Sequence, residues 1–282
     1  MTAPSPTSSF QIASPFQPTA ARLGVDGESI YRHPAITIWR SIADRENGYL
    51  DFTDDGGHPR RWHVKRYSAV RGQTPAEREV RGIELLRDRG IATVPLVAWG
   101  VAADRRSFVL IDDLADHRPC DRLLYGGLPY EPMLTPTADL AARLHAAGLH
   151  HRDLYLCHFF AKPEAGTLAN LRLIDCARVK ALPRLFRQRW VVKDLAQYWY
   201  STFKHPQVSD EHRQRWFDRY ATQAAVANPA ALLRAVLAKV AWIARHDAKL
   251  NRDQPDRNVS IPTISPDGTP NVGRLKDSEP TP

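Results

Sequence analysis

The chain has 282 residues, of which 43% are apolar and 25% are charged, a composition typical of a soluble globular protein with a normal core. Its net charge of +8 favours anionic partners such as phosphate groups and acidic surfaces. The chain shows no RNA-binding aromatic motif, zinc-finger spacing or basic zipper, so nucleic acid is disfavoured as a partner. Three cysteines cannot all pair with one another, which favours a reducing compartment.

The two ends of the chain differ from its middle. Residues 1–20 and 251–282 are rich in Pro, Ser and Thr and lack hydrophobic periodicity, so we predict that both are disordered tails. The N-terminus lacks the basic and apolar regions of a secretory signal, and no apolar run reaches 18 residues. We therefore expect a cytoplasmic protein, and peripheral contact with the cytoplasmic face of the inner membrane stays open.

Residues 21–114 read as a small sheet that carries one helix. Alternating apolar residues from Thr37 to Tyr67 predict three strands, and Lys65 falls on the third of them. Turn signals stand at Asn47-Gly48 and at residues 55–57. A helix is predicted from Pro75 to Gly90, followed by strands at 94–101 and 107–111.

Residues 115–250 read as mainly helical. Thr135 is a suitable N-cap and Pro136 a suitable first residue for a helix that ends at Gly148. A short strand pair is predicted around 171–174, and further helices are predicted at 190–203, 210–225 and 229–249. We therefore predict a larger, helical second lobe at 115–250.

The run from His151 to His158 carries the strongest chemical signal. It opens with His-Arg-Asp-Leu, the beginning of the catalytic loop of protein kinases. Phosphoryl transfer needs a carboxylate that orients the attacking hydroxyl and accepts its proton, which is the role predicted for Asp153. His151 and Arg152 are predicted to hold the loop in place.

Other residues follow in the order that phosphoryl transfer requires. Asp175 ends an apolar strand 22 residues after Asp153, where a carboxylate can bind the magnesium ion that bridges the ATP phosphates. Lys65 is predicted to neutralise the phosphates and Glu79 to hold that lysine, with Glu77 and Glu84 as weaker candidates for the partner. The backbone around 113–115 is expected to contact adenine. Together these features predict an α+β, protein-kinase-like fold with two lobes and an enzyme that uses ATP and Mg²⁺.

With its catalytic run in view, the sequence resembles the bacterial lipopolysaccharide kinase family, and most closely the core heptose kinases. The resemblance rests on the run His151 to Phe159, on Leu173-Ile174-Asp175 followed by Arg178, and on residues 192–200. It implies a cytoplasmic enzyme that phosphorylates a sugar hydroxyl of the lipopolysaccharide core. In this family an Asp such as Asp194 is expected to accept backbone hydrogen bonds from the catalytic loop.

The sequence departs from the protein-kinase pattern at three places. No Gly-x-Gly-x-x-Gly motif lies between the first strands, so residues 41–48 would have to cover the phosphates. His158 stands where protein kinases carry an Asn that binds a second magnesium ion, and we assign it to the nucleotide site, although imidazole prefers softer metals. No Ala-Pro-Glu segment follows Asp175, which favours a small or glycolipid acceptor over a protein.

Three alternatives stay open at this point. In the first, the protein is a kinase of another small molecule, such as an aminoglycoside or a Kdo-type sugar. In the second, it is a catalytically inactive kinase-like binding module. A metal site formed by Cys157, Cys176 and His158 is a further option, although a buried thiol packing as a small apolar group is the simpler interpretation. No obligate protein partner is inferred.

Overall fold

The computed structural model describes residues 8–164, 167–254, 263–264 and 270–271. Within these residues the chain forms two compact units. The first comprises residues up to Val80 with Val94–Ala115, and the second comprises Arg81–Thr93 with the residues from Asp116 onward to 254. Helices and antiparallel sheets both occur in the structure, which confirms the predicted α+β class.

The first unit is built on one antiparallel sheet of six strands in the order β1-β5-β6-β4-β3-β2. Apolar residues on one face of this sheet, among them Leu50, Trp62, Val64 and Phe108, are almost fully buried. Along β4 the buried Trp62 and Val64 alternate with more exposed neighbours, which is the pattern that predicted this strand. The strands are β1 (Ser9–Ile12), β2 (Ile36–Ile42), β3 (Arg45–Thr53), β4 (Pro59–Tyr67), β5 (Leu96–Val101) and β6 (Ser107–Asp112).

The N-terminal segment corrects one prediction. Residues 9–20 were expected to be disordered, but Ser9–Ile12 pairs with β5 and is followed by helix α1 (Gln17–Leu23). Backbone hydrogen bonds to the edge of β5 order this strand, and the side chain of Phe10 packs on the core. The prediction of disorder for residues 1–7 lies outside the described residues.

The turn signal at Asn47-Gly48 was also misread. Both residues lie inside β3, and the chain reverses direction at residues 43–44 instead. A Cβ at Gly48 would lie 2.7 Å from the carbonyl oxygen of Thr37. The glycine is therefore required by close contact between neighbouring strands rather than by a turn.

Helix α2 (Pro75–Asp88) begins and ends where the sequence predicts. Glu77 accepts hydrogen bonds from the backbone N–H and hydroxyl of Thr74, which close the N-terminus. Gly90 ends the helical segment with a positive φ of 67°. The boundary between the two units falls inside this helix, after Val80.

The second unit is mainly helical, as predicted, but its first long helix begins earlier. Helix α4 starts at Glu131 and not at Thr135, so Pro136 lies inside it. Pro132 suits the first turn, and burial of Met133 and Leu134 extends the helix toward the N-terminus. The helices are α3 (Cys120–Tyr125), α4 (Glu131–Ala146), α5 (Arg187–Ser201), α6 (Asp210–Gln223) and α7 (Pro229–Asp253).

Aromatic packing joins three of these helices. The rings of Tyr198 on α5 and Trp216 on α6 stack with centroids 4.0 Å apart. Thr137 on α4 contacts the Tyr198 hydroxyl at 2.8 Å and accepts a hydrogen bond from the Trp216 indole at 2.9 Å. The polar atoms of Thr137, Tyr198 and Trp216 therefore all have partners although the three residues are buried.

Short strands complete the second unit. β7 (Arg118–Pro119), β9 (Phe159–Glu164) and β10 (Thr167–Leu173) form one sheet, and β8 (Leu149–His150) pairs with β11 (Lys180–Ala181). These strands hold both ends of the predicted catalytic loop. Outside the units' cores, β12 (Thr263–Ile264) pairs with β13 (Pro270–Asn271).

The C-terminal region also differs from the prediction at its beginning. Residues 251–253 continue helix α7 and do not start a disordered tail. The predicted disorder of 255–262, 265–269 and 272–282 lies outside the described residues. Among the residues that are described, no helix is both long enough and apolar enough to cross a membrane.

Candidate functional site

The predicted catalytic loop is held by its backbone. The N–H groups of His151 and Arg152 donate to the two carboxylate oxygens of Asp194, at 2.7 and 2.8 Å. Asp194 is completely buried on α5. Burial alone would raise its pKa, but hydrogen bonds and charge from His145 and the loop outweigh burial and lower the pKa. The structural role predicted for Asp194 is therefore confirmed.

The side chains of His151 and Arg152 fix the loop in different ways. The His151 Nε2–H lies 3.0 Å from the carbonyl oxygen of Ile174, which ties the loop to the segment before Asp175. Burial, with the charge of nearby His158, lowers the pKa of His151, so its ring is neutral at neutral pH. Arg152 adopts a positive φ of 70° and places its guanidinium 4.7 Å above the ring of Trp190. These contacts agree with the prediction that both residues hold the loop in place.

Asp153 carries a carboxylate that is mostly enclosed but still reachable. Its side chain is 18% exposed, and its Oδ1 accepts a 2.8 Å hydrogen bond from Arg178 Nη1. Gln197 Nε2 lies 3.4 Å from the same oxygen and donates to the hydroxyl oxygen of Tyr155 at 3.0 Å. The carboxylate thus has a fixed orientation, set by one cation and one amide.

His158 lies between the backbone of Asp153 and the side chain of Asp175. Its Nδ1–H donates to the backbone carbonyl of Asp153 at 2.7 Å, and its Nε2 lies 3.7 Å from Asp175 Oδ2. Burial opposes the charged ring, but hydrogen bonding to Cys157 and the charges of Cys157 and Asp175 raise the pKa of His158 to about 9. At neutral pH the ring is therefore charged, with its Nδ1–H donating to the Asp153 carbonyl and its Nε2 within ion-pair distance of Asp175.

Asp175 occupies a strained position at the end of β10. Its φ of 59° and ψ of 61° lie in the left-handed region, which turns the carboxylate away from the strand direction. The hydroxyl of Thr93 anchors this turn, because it donates to the Leu173 carbonyl at 2.6 Å and lies 3.2 Å from Cys176 Sγ. With a side chain that is 38% exposed, Asp175 offers an accessible carboxylate.

The site suits a magnesium ion that arrives with a nucleotide rather than a metal held by the protein alone. Within the described residues, no group of three or more His, Cys, Asp and Glu side chains could hold a metal ion. Magnesium needs only one or two carboxylates when phosphates and water complete its shell, so Asp175 fits this mode of binding. Cys176 is buried against Thr93, which leaves the alternative thiol site without support.

The first unit contains the predicted lysine and glutamate as a pair. Lys65 Nζ on β4 donates to Glu79 Oε1 at 2.6 Å, and Glu79 is 1% exposed. The Tyr67 hydroxyl donates to the other carboxylate oxygen at 2.7 Å. Burial and the charge of Glu79 raise the pKa of Tyr67, so the phenol remains a donor. Of the competing glutamates, Glu77 caps α2 and Glu84 is exposed.

Residues of the segment expected to contact adenine form hydrogen bonds within the protein. The Asp113 backbone N–H donates to the carbonyl of Arg61 at 3.0 Å, and its carboxylate lies 2.9 Å from His63 Nε2. Asp112 accepts from Arg60 at 2.9 Å. The predicted adenine contact with the backbone of residues 113–115 stays a prediction.

Sequence reasoning missed three polar residues around Asp153. Arg178 was noticed only as a family feature, and Gln197 and Lys193 were not assigned a role. Gln197 lies three residues after Asp194, on the same face of α5, so helical spacing could have placed it at the loop. Lys193 donates to the carbonyl of Arg152. Burial and the charge of Arg178 lower the pKa of Lys193 to about 8.

Comparison with known proteins relates this geometry to one family. The model of the Lipopolysaccharide kinase (Kdo/WaaP) family matches residues 39–220. The lipopolysaccharide core heptose(I) kinase WaaP of Escherichia coli is 31% identical over 141 residues, which are 45% of this chain and 53% of that protein. The protein of the same name from Pseudomonas aeruginosa is 29% identical over 143 residues, 45% of this chain and 52% of that protein.

The matched region contains every site residue described above. The chain spans about half the length of these curated relatives. The family model, in contrast, covers well over half of the chain, and the predicted kinase-like fold is confirmed with it. The chain belongs to the lipopolysaccharide kinase (Kdo/WaaP) family.

Proposed function

We propose that the protein is an ATP-dependent kinase that phosphorylates a sugar hydroxyl of the lipopolysaccharide core, with a heptose-type acceptor. The observation that carries the proposal is the arrangement around His158, which joins the loop of Asp153 to the carboxylate of Asp175. A kinase needs two carboxylates with separate roles, one beside the acceptor and one beside the phosphates. The relatives named above support the choice of acceptor.

In the proposed reaction Asp153 orients the acceptor hydroxyl and takes its proton as the oxygen attacks the terminal phosphorus of ATP. The bond from that phosphorus to the bridging oxygen breaks, and ADP leaves with the bonding electrons. The hydrogen bond from Arg178 leaves Asp153 Oδ2 as the oxygen that receives the proton. Asp175 would hold Mg²⁺ together with the nucleotide phosphates, and the ion would neutralise their developing charge. Lys65, held by Glu79, would neutralise the remaining phosphate charge.

Positive charge around Asp153 supports an anionic acceptor. Arg178 contacts the carboxylate, and Lys193 interacts electrostatically with both Arg178 and Asp153. A neutral sugar would not need this field, whereas a core sugar with neighbouring phosphate or acidic groups would be attracted by it. The proposal of a cytoplasmic reaction follows from its use of ATP.

The test is transfer of labelled phosphate from ATP to three acceptors: a heptose-containing core oligosaccharide, a Kdo-containing oligosaccharide and an aminoglycoside. We expect transfer to the first. Asp153→Asn should lower kcat by about 10²- to 10⁴-fold without weakening nucleotide binding, whereas Asp175→Asn should weaken Mg²⁺-dependent nucleotide binding. Asp218→Asn, an exposed aspartate on α6, is the control and should act like the wild type.

Each result has a defined meaning. Asp153→Asn that turns over at the wild-type rate would exclude Asp153 as the base. Transfer only to the aminoglycoside or only to the Kdo-containing oligosaccharide would show that the acceptor is that molecule and not a heptose. Nucleotide binding without transfer to any acceptor would favour a binding module over an enzyme.

A further inference from the structure

The segment between Asp175 and Asp194 has an unusual charge distribution. Its 18 residues include six basic side chains and no Asp or Glu. Five of the six are exposed, and only Lys193 is half-buried. The basic residues are Arg178, Lys180, Arg184, Arg187, Arg189 and Lys193.

Two large apolar side chains protrude from the middle of this segment. Leu185 and Phe186 are 76% and 79% exposed, while the other exposed large apolar side chains of the described residues reach at most 49%. The two are consecutive, and residues 183–189 are all exposed. Fixed in water, such a pair is unfavourable unless a second surface covers it.

The backbone holds this pair outward. Pro183 restricts its own φ, and Phe186 adopts a left-handed φ of 61° directly before α5. A bulky residue in this region is strained, and no burial of the Phe186 ring compensates for the strain. The same loop is anchored at both ends, by β11 pairing with β8 and by Trp190 packing against His150 and Arg152.

Helix α7 extends the positive surface. Burial, and then the charge of nearby Arg189, lower the pKa of Lys239. The Lys239 ammonium sits 3.4 Å from the ring centroid of Trp242, which is 47% exposed. An exposed Trp beside basic residues is a typical residue of a membrane interface.

We propose that residues 183–189 form a docking tip that binds the surface of an anionic lipid bilayer. Leu185 and Phe186 insert among the acyl chains near the headgroups, and the exposed arginines bind lipid phosphates. Charge selects a lipid surface over a neutral protein groove, because the tip's Arg184, Arg187 and Arg189 are exposed, no acidic residue lies within the tip, and their desolvation in an apolar groove would be uncompensated. The tip belongs to the segment whose Arg178 contacts Asp153, so docking would bring the membrane surface to the predicted acceptor side.

Vesicle co-sedimentation of the full chain, without nucleotide or acceptor, tests this docking separately from kinase activity. We expect binding to vesicles of phosphatidylglycerol mixed with phosphatidylcholine, weaker binding at high salt, and little binding to phosphatidylcholine alone. The double variant Leu185→Ser with Phe186→Ser and the double variant Arg184→Gln with Arg189→Gln should each lower the partition coefficient by about tenfold or more.

Two matched variants serve as controls. Phe203→Ser removes an exposed aromatic residue elsewhere, and Arg32→Gln with Arg71→Gln removes two exposed arginines of the first unit. Both should bind vesicles within about twofold of the wild type. Circular dichroism and thermal unfolding of the tip variants should match the wild type because the changed side chains are exposed.

Three outcomes would overturn the proposal. The first is a wild-type chain that does not bind the anionic vesicles. The second is binding that survives both tip variants, or that the two controls reduce equally. The third is a tip-dependent self-association in sedimentation velocity without any lipid binding, which would assign the surface to a second copy of the chain.

Discussion

His158 determines how the two predicted carboxylates relate to each other. Its Nδ1 bonds the backbone of the loop that carries Asp153, and its Nε2 approaches the side chain of Asp175. Because the ring is charged at neutral pH, it lies beside Asp175 as a cation where protein kinases place an amide. The site therefore carries one internal positive charge before any nucleotide binds.

Arg178 acts on Asp153 directly, and its removal tests whether the pair positions the base. The guanidinium donates to Asp153 Oδ1 at 2.8 Å, although it is itself 49% exposed. We expect Arg178→Met to lower kcat by about 10²-fold, since a misplaced catalytic group costs roughly that factor. The KM for ATP should stay unchanged, and Arg178→Lys should recover part of kcat.

The steady-state kinetics of both Arg178 variants, measured with saturating Mg²⁺, distinguish two roles. A rise in kcat on losing the guanidinium would mean that Arg178 blocks the base in the free protein. A change confined to the KM of the acceptor would mean that Arg178 binds the acceptor. Only a loss of kcat agrees with a positioning role.

At this scale the sequence predicted the residues whose types are set by chemistry. Asp153, Asp175, Lys65 and Glu79 stand in a fixed order, and the Lys65–Glu79 pair formed as expected. Residue type alone does not identify Gln197 or Lys193, because they reach the loop from a helix more than 35 residues away, and only the spacing of Gln197 from Asp194 on α5 points to the loop. Long-range contacts of this kind depend on packing that one sequence does not encode locally.

Helix α2 packs closely against the residue after Asp175. A Cβ at Gly82 would lie 1.9 Å from the carbonyl oxygen of Cys176 and 2.8 Å from its carbonyl carbon. Backbone atoms cannot yield as a flexible side chain can. The glycine therefore lets the helix and the Asp175 turn approach each other.

Gly82→Ala sets two opposing effects against each other. Alanine would stabilise the helix by about 1 kcal/mol through intrinsic propensity. The overlap with Cys176 should cost more, about 1–3 kcal/mol, because the helix or the Asp175 turn must move. We expect a net loss of stability in urea unfolding, together with weaker Mg²⁺-dependent nucleotide binding.

Glu84→Ala, at an exposed position of the same helix, is the control for Gly82→Ala. It should change the unfolding free energy by less than about 0.5 kcal/mol and leave nucleotide binding intact. A Gly82→Ala variant that is more stable than the wild type would show that propensity dominates and that the close contact is relieved without strain.

Helices and strands were predictable where burial of one face imposes a regular apolar pattern. They were not predictable where contacts with a neighbouring element determine the structure. The strands around Lys65 and the helix of Glu79 followed from alternation and helical spacing. Strand Ser9–Ile12 also alternates polar and apolar residues, but it has only four residues, so pairing with β5 and packing of Phe10 and Ile12 determine its structure. Helix α4 began four residues early since burial of Met133 and Leu134 outweighed the capping signal at Thr135.

Buried histidines link the stability of the whole protein to pH. His205 is 2% exposed, and burial, reinforced by the charge of Lys204, lowers its pKa to about 4. Burial also lowers the pKa of His150 to about 4. Between pH 6.5 and 4 the unfolded chain binds these protons and the folded protein does not, so acid favours unfolding. Their stabilising contribution is complete above pH 6.5 and is lost as the pH falls toward 4.

His205→Phe isolates one of these groups far from the catalytic loop. The His205 ring packs against Tyr125 at 4.6 Å, and among the described residues its Nδ1 has no hydrogen-bond partner, so phenylalanine keeps the ring contact without a titratable group. We expect urea unfolding at pH 7 and pH 5 to show a smaller loss of stability in the variant, by about 2 kcal/mol. His246→Phe, at an exposed ring on α7, should keep the wild-type pH dependence. Equal losses in wild type and His205→Phe would mean that His205 is protonated in the folded state at pH 5, and burial would then not be the force that sets its charge.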